Sequence, residues 1–411
     1  MTKNYDVIII GGGIIGNSVA AHLANENLKI GVINSDNLGK SASNAAAGLL
    51  TPFQLHEFEN SQMKDFCFKS FEYFQSFYEM IGSDFTSSKI DLGFKQLGSL
   101  YLIFSYLEVG QKENEIKELK DINPRVSFLN KQDIAKHEPL LTKEALCAFH
   151  FPNEAIINNP KFLKAISSYC IKRNVTYINT EVTEIIINNN NVEKIILSTG
   201  EDLSAKKYVL CNGAWANKLL KGIFNKKENM IKGIKGEILQ IGPIQKLPMK
   251  KIIFCKDGYI LPRQATNQFE ESSILIGSTS TEVDLEENKD IFKNTISGIS
   301  SLVNLFQQLL PSCKNYPILN LWSGIRPQTK DKLPIIGQCA EIENIYFGLG
   351  HYRNGILMGP LTGKILKSLI MEETLEYNID SFKIDRLIKD NGNTGTTSII
   401  TKSSHTLMTK R

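Results

Sequence analysis

Apolar and polar positions along the chain change rhythm several times. Tyr5 to Ile10 is an apolar, β-branched run ending at Gly11, Ile14 to Asn25 carries apolar residues at helical spacing, and Lys29 to Ile33 is a second short apolar run. The start therefore predicts strand, helix, strand. From Ser61 to Ile81 the residues Met63, Cys67, Phe71, Phe74, Tyr78 and Ile81 recur at three- and four-residue steps, which predicts an amphipathic helix with that face buried. Val175 to Ile178, Val182 to Ile187 and Val192 to Leu197 predict short strands, the last two joined by an asparagine turn at Asn188 to Asn191. Lys207 to Cys211 reads as another strand, stopped by Asn212 and Gly213.

Between these blocks the pattern is that of antiparallel strands: Leu97 to Ile103, Gly236 to Ile241, Lys251 to Ile260 and Ser273 to Gly277 alternate or run apolar with turns between them. Two interleaved domains are expected, one from residues 1–80, 155–225 and 320–380, the other from 81–154 and 226–319. The tail Leu387 to Arg411, rich in Gly, Asn, Thr, Ser and Lys, lacks apolar periodicity and is expected to hang free.

Composition narrows the class. A chain of 411 residues, 42% hydrophobic and 22% charged, has the make-up of a globular protein of two or three domains. The 47 basic and 43 acidic residues leave a net charge of +4 without a basic stripe, so nucleic acid is not expected as the main partner. Seven scattered cysteines without a CxxC pair suit a reducing compartment and argue against a metal cluster. The apolar run Val7 to Ile10 is too short for a signal peptide, and no stretch is long enough to cross a bilayer as a helix; the expected location is the cytoplasm.

Gly11-Gly12-Gly13-Ile14-Ile15-Gly16 satisfies GxGxxG directly after a predicted strand and at the opening of a predicted helix. Gly11 permits the tight turn, Gly13 lets backbone approach a pyrophosphate, and Gly16 lets helix and strand pack, while the helix N-terminus offers N–H groups to the anion. The acid expected at the end of the second strand, which would bind ribose hydroxyls, is replaced by Asn34, with Asp36 two residues further as a substitute. A 2′-phosphate ligand is the lesser reading, since no arginine follows Asn34.

Taken with Ala45-Ala46-Ala47-Gly48, Trp322-Ser323-Gly324-Ile325-Arg326-Pro327, Thr329-Lys330-Asp331 and Gly350-His351-Tyr352-Arg353-Asn354-Gly355-Ile356-Leu357, this loop gives a chain that resembles the glycine oxidases of thiamine biosynthesis, within the D-amino-acid oxidase family of FAD-dependent oxidoreductases. The likeness runs nearly the whole length and fades near Arg386. It implies an α/β fold, a Rossmann-like FAD-binding domain interleaved with an α+β substrate domain built on an antiparallel sheet. It further implies that Ile14, Ile15, Asn34 and Ser35 line the adenosine end of FAD. Ala42, Ser43, Ala47, Gly48 and Leu49 would follow the pyrophosphate, ribityl chain and ring, and Val182 would hold the adenine through its backbone. His351, Tyr352, Arg353, Asn354, Gly355, Ile356 and Leu357 would enclose the ring end. The departures at Asn34, where the family usually has Glu, and at Asn44, where Ser is common, bear on FAD affinity rather than on its identity.

The segment after Asn344 to Phe347 turns on glycines into a helix predicted to begin near Asn354 or Gly355, and a helix N-terminus at the pyrimidine edge of a flavin stabilises the charge that appears on reduction. Arg326, between glycine and proline punctuation, is expected on a constrained turn. Its planar guanidinium matches a carboxylate bidentately, and the resemblance assigns it to the substrate's α-carboxylate, with the Tyr259 hydroxyl assisting and Arg353 approaching beside the ring. His351 is expected to be positional rather than a general base, because flavin oxidation of amines needs mainly a neutral amine, and Leu49 and Ser280 are expected to border the side-chain pocket. Relatives that tether their flavin use a cysteine shortly before the Trp322 motif; Cys313 and Cys339 do not fit that position, so FAD is expected to be noncovalent.

The implied activity is oxidation of glycine or a similar small amino acid to the imino acid, with dioxygen reduced to hydrogen peroxide, thiazole synthase as consumer of the product, and a homo-oligomer, on the family's pattern a tetramer. Alternatives are a D-amino-acid or sarcosine dehydrogenase using another acceptor, a non-catalytic flavin-binding protein, and an NADP-linked dehydrogenase kept open by Asn34.

Overall fold

The computed structural model describes residues 4–35, 41–52, 60–84, 91–110, 112, 117, 120, 125–225, 228–266, 270–285 and 290–388. Asp36 and the tail from 389 to 411 lie outside the described residues.

The opening pattern folds as strand Asn4–Ile10, helix Ile14–Leu23 and strand Ile30–Asn34, the two strands parallel with Val7 opposite Ile30 and Ile10 opposite Ile33. Thr176–Asn179 extends this sheet parallel to Ile30–Asn34. On the other side of the first strand lies Asp202–Leu210, then Ile345–Leu349, both parallel, with Ile335–Gln338 antiparallel at the edge. The chain leaves the first strand to one side and returns on the other, so the glycine loop stands at the switch point where a crevice opens beyond the strand ends. Because strand side chains alternate, Val7 and Ile9 join one core with the helices while Ile8 and Ile10 join a second on the opposite face.

Helix Ser61–Gly82 buries Met63, Cys67, Phe74 and Ile81 as its spacing predicts, and Asn60 caps it by accepting from the Gln62 and Met63 N–H groups. Strands Val182–Asn188 and Asn191–Leu197 form a hairpin whose loop residues Asn189 and Asn190 both have positive φ, 48° and 59°, a conformation asparagine tolerates.

The second large sheet is antiparallel with one exception, a parallel pairing of Ile252–Cys255 with Ser99–Ile103. Its longest pair joins Ile231–Ile241 to Ile318–Thr329, Ile234 standing opposite Arg326. This corrects two expectations. The strand Ile318–Thr329 lies in the second sheet rather than with residues 320–380, and Arg326 sits within that strand rather than on a turn. Pro327 is accommodated because the strand pairs on one side with Ile231–Ile241 and, among the described residues, meets a single bridge, Gln328 to His351, on the other, so the missing N–H interrupts no central ladder. A third correction concerns the start of the tail: Leu387 and Ile388 belong to the helical turn Asp385–Ile388, with Ile388 packed into the core beside Ile384. No helix among the described residues is long and apolar enough to cross a membrane.

Three histidines are held neutral. Burial lowers His22 and His150 to about 4 and His351 to about 3. Their unfolded values lie near 6.5, so as pH falls from there toward 4 the unfolded chain takes up protons that the folded chain refuses, and stability drops. Buried Glu138, whose carboxyl is raised by burial, works in the opposite direction. Urea midpoints measured between pH 7 and 5 should therefore fall more steeply for the wild type than for His22→Asn; equal slopes would show that His22 does not contribute.

Candidate active site

The glycine loop is fixed by contacts that exclude larger residues. Gly11 has φ +110°, and a Cβ there would lie 2.5 Å from the Cys211 carbonyl oxygen; at Gly16 it would lie 1.9 Å from the Gly11 carbonyl oxygen. Asn17 Nδ2 donates to Gly12 O at 2.6 Å, and the Gly12 N–H donates to Asn34 Oδ1 at 3.0 Å. The Ile14 N–H at the start of the helix donates to Ser43 Oγ at 2.9 Å, which ties the segment around Ala42–Ala45 to the loop. This end is a set of backbone N–H groups at a helix N-terminus, suited to an anion.

From the loop a cavity of about 770 Å³ runs between the two large sheets. Gly11, Gly13, Ile14, Ile15, Asn34 and Ser35 line it at one end, together with Val182. Ala42, Ser43, Ala47, Gly48 and Leu49 line its flank, and Tyr259, Arg326, His351, Tyr352, Arg353, Asn354, Gly355 and Ile356 complete the wall. Three expected residues lie elsewhere. Gly16 serves only the packing of helix on loop, Leu357 turns into the helical core, and Ser280 is exposed at the corner before Thr281–Val283.

At the arginine end, Nη1 of Arg326 donates to Thr279 O at 3.1 Å and Nη2 to Ser278 Oγ at 2.5 Å. The guanidinium lies over Gly236, where a Cβ would come within 2.0 Å of Nη2. Tyr259 is buried on Gly258–Arg263, and a Cβ at Gly277 would come within 2.3 Å of its hydroxyl. Burial raises the Tyr259 phenol above its ordinary value, against the pull of Arg326 and Arg353, so it is protonated at neutral pH and able to donate. Gly236, Gly277, Ser278 and Thr279 escaped the sequence reading; the only local signal was the run of small residues Gly277-Ser278-Thr279-Ser280-Thr281 after a strand.

His351 Nε2 pairs with Thr362 Oγ1 at 3.0 Å inside the protein, whereas its Nδ1, like Oδ1 of Asn212, is buried on the cavity wall without a partner among the described residues. Helix Gly355–Ile370 starts beside it and packs on helix Ile14–Leu23 through two glycines, a Cβ at Gly359 reaching 2.9 Å from Ile14 Cγ1 and one at Gly363 reaching 2.7 Å from Ser18 C. The two helix starts thereby share one cavity.

The sequence profile described as "DAO: FAD dependent oxidoreductase" matches residues 6–369. The chain belongs to this family of FAD-dependent oxidoreductases. A glycine oxidase from Bacillus subtilis is 28% identical over 391 residues, 94% of this chain and 98% of that protein. The bifunctional protein ThiO/ThiG of Trichormus variabilis is 30% identical over 407 residues, 97% of this chain and 57% of its own, so the chain spans a little over half the length of that relative. The crystal structure of glycine oxidase from Geobacillus kaustophilus superposes with a TM-score of 0.82 at 26% identity, covering 93% of this chain and 98% of that one.

The family's cofactor suits this cavity. Gly11 keeps the loop bare, Gly16 lets the helix close on it, donors stand at the helix start, and Asn212 Oδ1 and His351 Nδ1, unpartnered among the described residues, offer buried polar atoms to a ligand. Two glycine substitutions should separate fold from site. At Gly11 alanine meets backbone at a positive φ and should cost on the order of 2 kcal/mol. At Gly236 it meets only the end of a side chain and should cost less than about 1 kcal/mol while displacing the guanidinium. Urea unfolding of both variants checks this; a larger loss at Gly236 would contradict it.

Proposed function

We propose that the protein is an FAD-dependent oxidase of glycine or a similar small amino acid. The observation that carries this reading is the placement of Arg326 and Tyr259, a fixed guanidinium and a protonated phenol, on the wall of the same cavity that begins at the glycine loop. The similarity to glycine oxidases over nearly the whole chain supports it.

Arg326 would hold the substrate carboxylate bidentately while Tyr259 donates to it, so the amine and its Cα–H keep one orientation. When bound, FAD supplies the two-electron acceptor that turns amine into imine and returns to its oxidised form by reducing dioxygen to hydrogen peroxide. Ile14, Ile15, Asn34 and Ser35 would hold its adenosine end, with the Val182 backbone against the adenine. Ala42, Ser43, Ala47, Gly48 and Leu49 would follow its middle, and the turn from His351 to Ile356 its ring. Oδ1 of Asn34 already accepts from Gly12 N–H and has a second lone pair for a ribose hydroxyl. His351 stays neutral, which suits a positioning role near the substrate amine better than proton transfer. Cys313 and Cys339 are buried away from the cavity, and the Cys211 thiol on its wall is pushed far up by burial, which supports a noncovalent FAD. The bifunctional ThiO/ThiG relatives support a thiazole synthase as the enzyme that takes the imine.

Acid precipitation should release FAD into the supernatant, and glycine should bleach the bound flavin under anaerobic conditions, with peroxide formed once air is admitted. Arg326→Ala should lose about two to four powers of ten in kcat/KM with its flavin content unchanged, since it leaves a carboxylate unpaired in a partly dry pocket. Flavin remaining with the precipitate, peroxide-free turnover, or an Arg326→Ala enzyme with normal kinetics would each contradict the corresponding part of this reading.

A further inference from the structure

Arg326 is held by the corner Gly277 to Thr279, and that corner is itself held from behind. The Glu237 N–H donates to Thr279 Oγ1 at 2.9 Å, and the same hydroxyl donates to Glu237 Oε2 at 3.3 Å. Two bonds through one side chain thus fix the residue whose carbonyl accepts from Arg326 Nη1.

Glu237 is a carboxylate with 3% of its surface exposed, in the middle of Ile231–Ile241 and next to Gly236, over which the guanidinium lies. Its charge is met on the remaining side by the start of helix Ile296–Leu309: Thr295 N donates to Oε1 at 2.5 Å and Thr295 Oγ1 to Oε2 at 3.2 Å. A Cβ at Gly298 would fall 1.7 Å from Oε2, so the first turn closes around the carboxylate. Lys235, equally buried, stands 3.7 Å away and donates to the Lys293 carbonyl. Filling this space would need only an apolar side chain, and an apolar side chain would avoid the desolvation of a charge. What an apolar side chain could not do is hold the Thr279 hydroxyl and the helix start in one register.

We infer that Glu237 is a positioning residue: by locking Thr279 between the strand and the helix start, it sets the guanidinium of Arg326 in the orientation that receives the substrate carboxylate. This rests on the reading of Arg326 as carboxylate anchor, and the test separates the two.

Thr279→Val keeps the shape and removes both hydrogen bonds, Thr279→Ser keeps the hydroxyl, and Glu237→Gln removes the charge. Acetate serves as the probe, its inhibition constant measured against glycine together with KM, kcat, flavin content and melting temperature. Thr279→Val should raise the glycine KM and the acetate constant about tenfold with kcat within about twofold, the loss expected when a guanidinium is no longer held in place. Thr279→Ser should recover most of that affinity, which a purely steric role would not produce, and Glu237→Gln should shift both constants in the same direction as Thr279→Val. An unchanged acetate constant in Thr279→Val, or a Thr279→Ser enzyme as impaired as Thr279→Val, overturns the inference; if Thr279→Val does not fold, an unchanged constant in Glu237→Gln overturns it instead. Arg326→Ala is the control. If it too leaves the acetate constant unchanged, the anchor reading fails; if it raises the constant while Thr279→Val does not, only the positioning role fails.

Discussion

The contact of Gly16 against the Gly11 carbonyl, with 1.9 Å between that oxygen and any Cβ, is the constraint on which the rest of the site depends. It brings helix Ile14–Leu23 down onto the end of the central strand, so its first N–H groups face the crevice at the switch point of the parallel sheet. Gly359 and Gly363 then let helix Gly355–Ile370 lie against that helix, which sets the turn His351 to Asn354 on the same cavity. A side chain at any of these positions would move two elements at once, because interiors are packed too densely to absorb the shift.

The opposite wall is built by different means. There a long antiparallel pair, Ile231–Ile241 with Ile318–Thr329, places Arg326 beside Gly236, and the corner at Ser278 and Thr279 takes two of its donors. The guanidinium is oriented before any ligand arrives, so less rotamer freedom remains to be lost on binding. Tyr259 stands opposite Gly277, on the strand paired with the one that leads into that corner, and is buried enough to keep its proton. One wall thus offers backbone donors of a loop and the other a fixed charge, and a cofactor with a phosphate end and a reactive ring fits between them.

Much of the first wall was legible in the sequence because its logic is local: a β-branched strand, three glycines at set spacing and a helix are adjacent in the chain. The family likeness extended this to the segment from Gly350. The second wall was less legible. Arg326 looked like a turn residue because glycine and proline flank it, and nothing local tells that its strand runs at an edge where proline is tolerated. Gly236, Ser278, Thr279 and Glu237 acquire their roles from register between segments far apart in sequence, which periodicity does not encode. Ser280 was placed one step along the right corner, yet it points to solvent while Ser278 and Thr279 hold the guanidinium.

The proposed function requires that one cavity join an anion-binding glycine loop to a carboxylate-binding arginine. A crystal structure of the protein with its flavin and acetate tests it most directly. The pyrophosphate is expected at the Gly13 and Ile15 N–H groups and the acetate in a two-pronged contact with Arg326 beside the Tyr259 hydroxyl. Acetate bound elsewhere in the cavity with Arg326 untouched, or a flavin whose phosphates avoid the glycine loop, would contradict it.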